Sequence, residues 1–231
     1  MSELLRYTLE GAVARLDLDD GKANVISPHS LAALNDALDR AEKEAGAVVL
    51  FGRAGRFSAG FDLGTIQEGP ESARRLVAGG ALLAARLADS ALPVVVACGG
   101  HALAMGALVL LAADVRIAAA GSFKIGLNEV AIQMVLPTFA IELANERLSK
   151  RHVLRATTLA EIYDPAGACD AGYVDRVVAG DALEATALAE GARLAELPRR
   201  AFAGTKRALR GAMVERIRSG IEQDLADWRV G

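Results

Sequence analysis

Residues 91–113 read ALPVVVACGGHALAMGALVLLAA, 23 consecutive positions without a formal charge. On length alone such a run could cross a bilayer. Pro93, the Gly99-Gly100 pair and His101 interrupt it too often for one continuous helix, because proline lacks a donor and paired glycines turn the chain. The run therefore predicts a buried strand over 94–98, a glycine turn, and a buried helix over about 103–113. No membrane span is expected.

Working outward, the same alternation recurs. A strand is expected over 12–18, then a helix capped by Ser27 with Pro28 in its first turn and Leu31, Leu34, Leu38 and Ala41 along one face. An apolar strand follows over 47–51, and a helix over about 72–90. Beyond the central unit come short strands over 115–118 and 123–125, a helix opened by Pro137, and another over about 150–159. Asp164-Pro165 starts a short helix leading into a last strand over 173–178. From Asp181 onward the pattern is helical only, interrupted at Pro198 and by Gly204, Gly211 and Gly220. Repeated β-then-α units predict an α/β fold with helices covering the sheets. No sequence repeat and no linker divides the chain. We read 1–180 as the core and 181–231 as an appended helical region suited to oligomer contacts.

Composition removes several function classes. With 26 Lys and Arg against 29 Asp and Glu the net charge is −3, so no bulk positive field attracts nucleic acid or anionic lipid. Cys98 and Cys169 lie far apart without metal-ligand spacing, which predicts free thiols, no metal and a reducing compartment. The first ten residues lack the apolar run of a signal peptide, and a cytoplasmic location is expected. His29, His101 and His152 stand in no HExxH motif, Ser58 has no GxSxG context, and neither a P-loop nor a GxGxxG turn is present.

Two glycine turns remain, each just after an apolar strand. The segment 56–62 (RFSAGFD) and the segment 99–106 (GGHALAMG) let the backbone turn sharply, leaving peptide N–H groups free to face outward. Two such donors converging on one point would form an oxyanion hole. A third element is Glu129, a lone carboxylate in the otherwise uncharged run 125–141. It is either an exposed loop residue or a buried base whose pKa desolvation raises. Lys206, Arg207 and Arg210 form a basic face on the tail, read as solvated surface or as a contact for phosphates.

Together FSAGFDL (57–63), GGHALAMGALVLLAADVRIA (99–118), IGLNE (125–129) and AGYVDRVV (171–178) resemble the crotonase superfamily of enoyl-CoA hydratases and isomerases, in order, over about 8–215. The resemblance implies a crotonase-like spiral of ββα units, a homotrimer or dimer of trimers through C-terminal helices, and an acyl-CoA substrate whose coenzyme A serves in place of any separate cofactor. It places the oxyanion hole on the backbone N–H groups of Phe61 and Met105 and the acid/base on Glu129. Substrate contacts fall on Ala23 and Asn24, on the turn Ala59, Gly60, Asp62 and Leu63, and on Gly106 and Leu108.

Departures from the family bear on the activity. Hydratases of this family use two glutamates, the first of which falls on Leu108 here. The surroundings of Glu129 are closest to the Δ3,Δ2-enoyl-CoA isomerase subgroup. One base suffices to move a proton, whereas adding water efficiently needs a second group to orient the nucleophile. The resemblance thus favours double-bond isomerisation, with hydration as the alternative and a non-catalytic acyl-CoA-binding paralogue as a third reading. The chain also ends earlier than is typical of the family, which bears on the oligomer contacts and the acyl pocket.

Overall fold

The computed structural model describes residues 4–227. Two antiparallel strands open it, β1 (Leu5–Glu10) and β2 (Val13–Leu18), joined through Gly11 at φ +59°. The sequence reading finds only the second. Of β1 only Leu5 is buried, so the alternation that would betray it is absent.

From β2 the chain winds through four turns of one plan: a strand in a large sheet, a short strand in a small sheet, then a helix. β3 (Val25–Ile26) and α1 (Pro28–Glu44) complete the first turn. The second contains β4 (Ala47–Phe51), β5 (Gly55–Ser58), β6 (Gly60–Phe61), α2 (Leu63–Gln67) and α3 (Pro70–Asp89). The third is β7 (Val94–Cys98), β8 (Gly100–Leu103) and α4 (Met105–Ala112); the fourth is β9 (Val115–Ala119), β10 (Ile125–Gly126) and α5 (Thr138–Arg147). After α6 (Lys150–Ala156) and α7 (Pro165–Ala171), β11 (Arg176–Val178) closes the large sheet in the order β1-β2-β4-β7-β9-β11, parallel from β2 onward. The small sheets run β10-β8-β5 and β3-β6. This is the spiral of ββα units that the resemblance implies.

Burial explains why β4 and β7 carry no polar residue. In β4, Val48 and Leu50 face the main core beneath α1 and α3, while Val49 and Phe51 face a second core under α8 (Leu183–Ala195). Parallel strands covered on both faces read as continuous apolar runs. Gly191 lets α8 lie this close, since a Cβ there would come within 2.5 Å of Val49 Cγ2. α1 begins as expected: Ser27 Oγ accepts from Ser30 N at 3.2 Å while Ser30 Oγ accepts from Ser27 N at 2.7 Å.

Several expected boundaries move. Residues 100–103, expected as a glycine turn leading into a helix at about 103, form β8, and α4 starts only at Met105. The expected strands at 123–125 and 173–178 shrink to β10 and β11. Tyr173 instead follows the left-handed cap Gly172 of α7 and donates its N–H to Ala168 O at 2.8 Å. Gly204, Gly211 and Gly220 do not interrupt the last helix, α9 (Arg199–Asp227), which packs on α3 and α5 and adds Met213, Val214 and Ile217 to the main core. Residues 228–231 of the expected tail lie outside the described residues. Among the described residues no helix is long and apolar enough to cross a membrane, and no group of three or more potential metal ligands occurs.

Candidate active site

β5 and β6 are separated by one residue, and the turn between them touches the start of α4. Gly60 holds φ +97°, and a Cβ there would sit 2.8 Å from Ala104 Cβ and 3.3 Å from the Met105 nitrogen. The two glycine turns singled out in the sequence are therefore neighbours. Ala104 adopts φ +50°, ψ −122°, a conformation that costs an L-residue on the order of 1–3 kcal/mol. It caps α4 without a side-chain hydrogen bond, so no side chain satisfies the amides of the first helical turn.

Side chains here point away from the turn. A Cβ on Gly80 of α3 would lie 2.4 Å from Phe61 Cζ and 3.3 Å from Met105 Sδ, so both side chains pack against that bare stretch of helix. Met105 is completely buried. Gly106 is small for a related reason, since its Cβ would meet Ser58 O at 2.5 Å. The β5–β6 turn is pinned to the first turn of the spiral: Ala59 N donates to Ala23 O and Asp62 N to Ile26 O, both at 3.0 Å.

Beside these turns lies a cavity of about 200 Å³ whose wall includes Ala59, Phe61, Ala104, Leu108, Asn128 and Glu129. Leu63 stands at its edge, 57% exposed. Glu129 is the one ionisable side chain among the described residues that line it. β10 pairs in parallel with β8, and Ala104 N donates to Gly126 O at 3.0 Å, which sets the following loop over the cavity. Glu129 is buried, and its Oε2 has no partner. Burial pushes its carboxyl up to about 7, against a weaker opposing pull from its own backbone. The buried alternative is thus the one the structure adopts.

Asn128 escapes the sequence reading. Its Oδ1 is a second buried acceptor without a partner in the same cavity. Only its adjacency to Glu129 could have flagged it. Beneath the loop, burial drives the Tyr173 phenol well above its ordinary pKa, and the Tyr163 and Glu129 charges push further in the same direction, so it stays neutral.

Three expected substrate residues are engaged elsewhere. Asn24, fully buried at φ +52°, donates to Leu18 O at 2.7 Å and Phe57 O at 3.3 Å while its Oδ1 accepts from Asp20 N. With both amide hydrogens used, the Asn24 side chain has no donor left for a ligand. Asp62 caps α2, accepting from Gly64 N, Thr65 N and Thr65 Oγ1. Ala23 contributes the carbonyl that holds Ala59.

The tail's basic face is corrected by its surroundings. Lys206 and Arg210 are 6% and 3% exposed, and their cations bond Asp114 and the carbonyls of Leu87, Leu111 and Ala112. They form neither a solvated surface nor a free phosphate contact. Arg207 alone of the three stays in solvent.

A family model described as Enoyl-CoA hydratase/isomerase matches residues 8–227. The chain belongs to the enoyl-CoA hydratase/isomerase family. A solved structure of an enoyl-CoA hydratase/isomerase family protein from Pseudomonas syringae is 43% identical, covers 98% of each chain and superposes with a TM-score of 0.96. Human enoyl-CoA delta isomerase 1, mitochondrial, is 31% identical over 222 residues, 94% of this chain and 73% of its own. A probable enoyl-CoA hydratase of Bacillus subtilis is 33% identical over 132 residues, 55% of this chain and 50% of its own. Membership of the enoyl-CoA hydratase/isomerase family implies a coenzyme A thioester as substrate.

Proposed function

We propose that the enzyme moves the double bond of a 3-enoyl-CoA to the 2-position, with Glu129 as the single acid/base. The carrying observation is one buried carboxylate with an unpartnered oxygen, raised toward neutrality, in a cavity whose other described lining residues are not ionisable. Ionised Glu129 removes a C2 proton. The electrons pass into the thioester, whose oxygen becomes an enolate held by the N–H groups of Phe61 and Met105. Glu129 then returns the proton to C4, and the 2-enoyl thioester results. Each backbone donor of such a hole is worth about 2.7–4 kcal/mol of barrier. The reaction is redox-neutral and asks for no cofactor beyond the coenzyme A already joined to the substrate.

Leu108 supports this reading over hydration. It is 1% exposed and lies in the wall of the same cavity, at the position where the family's hydratases carry their first glutamate. Without that group the described lining of the cavity holds no second carboxylate to orient and activate a water molecule. The test is incubation of the pure protein with 3-hexenoyl-CoA and, separately, crotonyl-CoA. Isomerisation without hydration is expected. Hydration of crotonyl-CoA at a comparable rate would replace this reading, and binding of both thioesters without turnover would make the chain a non-catalytic acyl-CoA binder. Assembly as a homotrimer or dimer of trimers in the cytoplasm is part of the same proposal and rests on the family resemblance.

A further inference from the structure

The loop that carries Glu129 is fastened four residues upstream. Ile125 N donates to Tyr163 O and Tyr163 N donates to Ile125 O, both at 2.9 Å, so β10 is held by β8 and also by the link between α6 and α7. The link presses close. A Cβ on Gly126 would come within 3.0 Å of Ile162 Cδ1 and 3.1 Å of Glu161 O. Leu159 of the same link is 65% exposed, whereas Tyr163 is 7% exposed and anchors it.

The Tyr163 side chain is itself tied down. Its ring lies 5.9 Å from that of Tyr173, the residue beneath the Glu129 loop, and its hydroxyl is 3.2 Å from His152 Nδ1. On the far side of the imidazole, Nε2 stands 3.2 Å from Asp170 Oδ2. A carboxylate can only accept, so Nε2 carries the hydrogen, and Nδ1 of the neutral ring accepts from the Tyr163 hydroxyl. Asp170 also pairs with Arg151, and Glu161 with Arg155. Burial and the nearby Glu161 charge raise the Tyr163 phenol, which therefore keeps its proton. None of these residues lines the cavity of Glu129.

We propose that Tyr163, steered by His152 and Asp170, is a positioning residue for the reaction: it fixes β10 and the loop behind it so that the Glu129 carboxyl stays inside the cavity. The inference rests on the reading of Glu129 as the acid/base and adds residues that act through it. β10 is only two residues long, too short to hold a fixed course by its own pairing, so its second neighbour sets where the loop runs. The tie from Asp170 through His152 to Tyr163 joins α7, α6 and the link, and it ends at Ile125 and Tyr173, the two places that bear on the Glu129 loop. Small displacements of a catalytic group are costly, with about 1 Å able to remove about 10²-fold in rate.

The test titrates the Glu129 carboxyl directly, by carbon NMR of protein labelled at its glutamate side chains, with Glu129→Gln identifying the signal. Turnover of 3-hexenoyl-CoA is measured alongside. Tyr163→Phe keeps the ring against Tyr173 and loses the bond to His152; His152→Leu breaks the same bond from the other side. In both, the loosened loop should admit water, so the titration should move down from about 7 toward the ordinary carboxylate range, a proton affinity at least about threefold weaker. The value of kcat should fall about tenfold, with KM within about twofold. His152→Gln, which can still bond both neighbours, should recover most of what His152→Leu loses. An unmoved titration in Tyr163→Phe overturns the proposal even if the variant unfolds more easily, since that is the mark of a purely structural tie. A moved titration with unchanged kcat overturns it too. If the parent protein does not isomerise 3-hexenoyl-CoA, the reaction assigned above fails on its own account, and the titration alone decides whether Tyr163 holds Glu129 in place.

Discussion

Lys206 Nζ stands 2.7 Å from Asp114 Oδ2, joining the last helix to the helix-to-strand corner between α4 and β9. Asp114 also accepts from Val94 N at 2.9 Å and faces Arg210 at 3.8 Å. Asp114→Ala would therefore leave buried Lys206 without its counter-charge, Arg210 with Glu146 alone at 3.9 Å, and one strand amide unpaired. A loss of about 3–5 kcal/mol is expected in urea unfolding. A loss below about 1 kcal/mol would mean that the carbonyls around Lys206 and Arg210 suffice.

The Glu129 carboxyl titrates near 7, raised by burial, so proton abstraction should rise about tenfold per pH unit below 7 and level off above it. Glu129→Gln should lower turnover at least about 10²-fold. Its effect on stability has the opposite sign. In the unfolded chain the carboxyl ionises near its ordinary value and in the fold only near 7, so the native state holds the extra proton between these limits and loses stability as pH rises through them. At pH 8 the glutamine variant should thus be more stable than the parent, by up to about 3 kcal/mol, with no difference near pH 4. Unfolding curves at both pH values check this.

Gly80 touches no reacting atom, yet a methyl group there would enter the space of the Phe61 ring. Gly80→Ala should push Phe61 outward and carry its amide off the line shared with Met105. A fall in kcat of about 10²-fold, the size expected for losing one oxyanion donor, with KM little changed, is the expected result. If kcat holds, Phe61 yields by rotating its ring and the donor is set by the β3–β6 pairing alone.

Leu108→Glu would set a second carboxylate in the cavity with Glu129. Like charges at close range raise one another's pKa, so the pH onset of proton abstraction should move upward from about 7. Slow hydration of crotonyl-CoA should appear alongside it. An unmoved pH profile would place the two side chains too far apart to interact.

The sequence carries the fold's buried parts more clearly than its short ones. The strands β4 and β7 and the helix α1 follow from apolar runs and from Ser27-Pro28, since burial on both faces and a capped amphipathic helix each leave a distinct pattern. The small-sheet strands β3, β6, β8 and β10 span two to four residues, too few to show any period, and they are held by neighbours far away in the chain. Glu129 stands out because a lone charge interrupts an apolar stretch. Asn24 and Asp62 enter the expected site through the family resemblance, but their side chains serve groups close by in the fold. The buried state of Lys206 and Arg210 depends on Asp114, some ninety positions earlier, a pairing that no local pattern reveals.

Because the proposed oxyanion donors belong to the main chain, no ordinary substitution can delete them; only proline at 61 or 105 would remove the hydrogen itself. Side-chain identity at those two places is consequently open to drift, and an uncommon residue such as Met105 carries no chemical penalty. What inheritance must guard is the bare contour around them, Gly60, Gly80 and Gly106, whose absent methyl groups hold the pair in place.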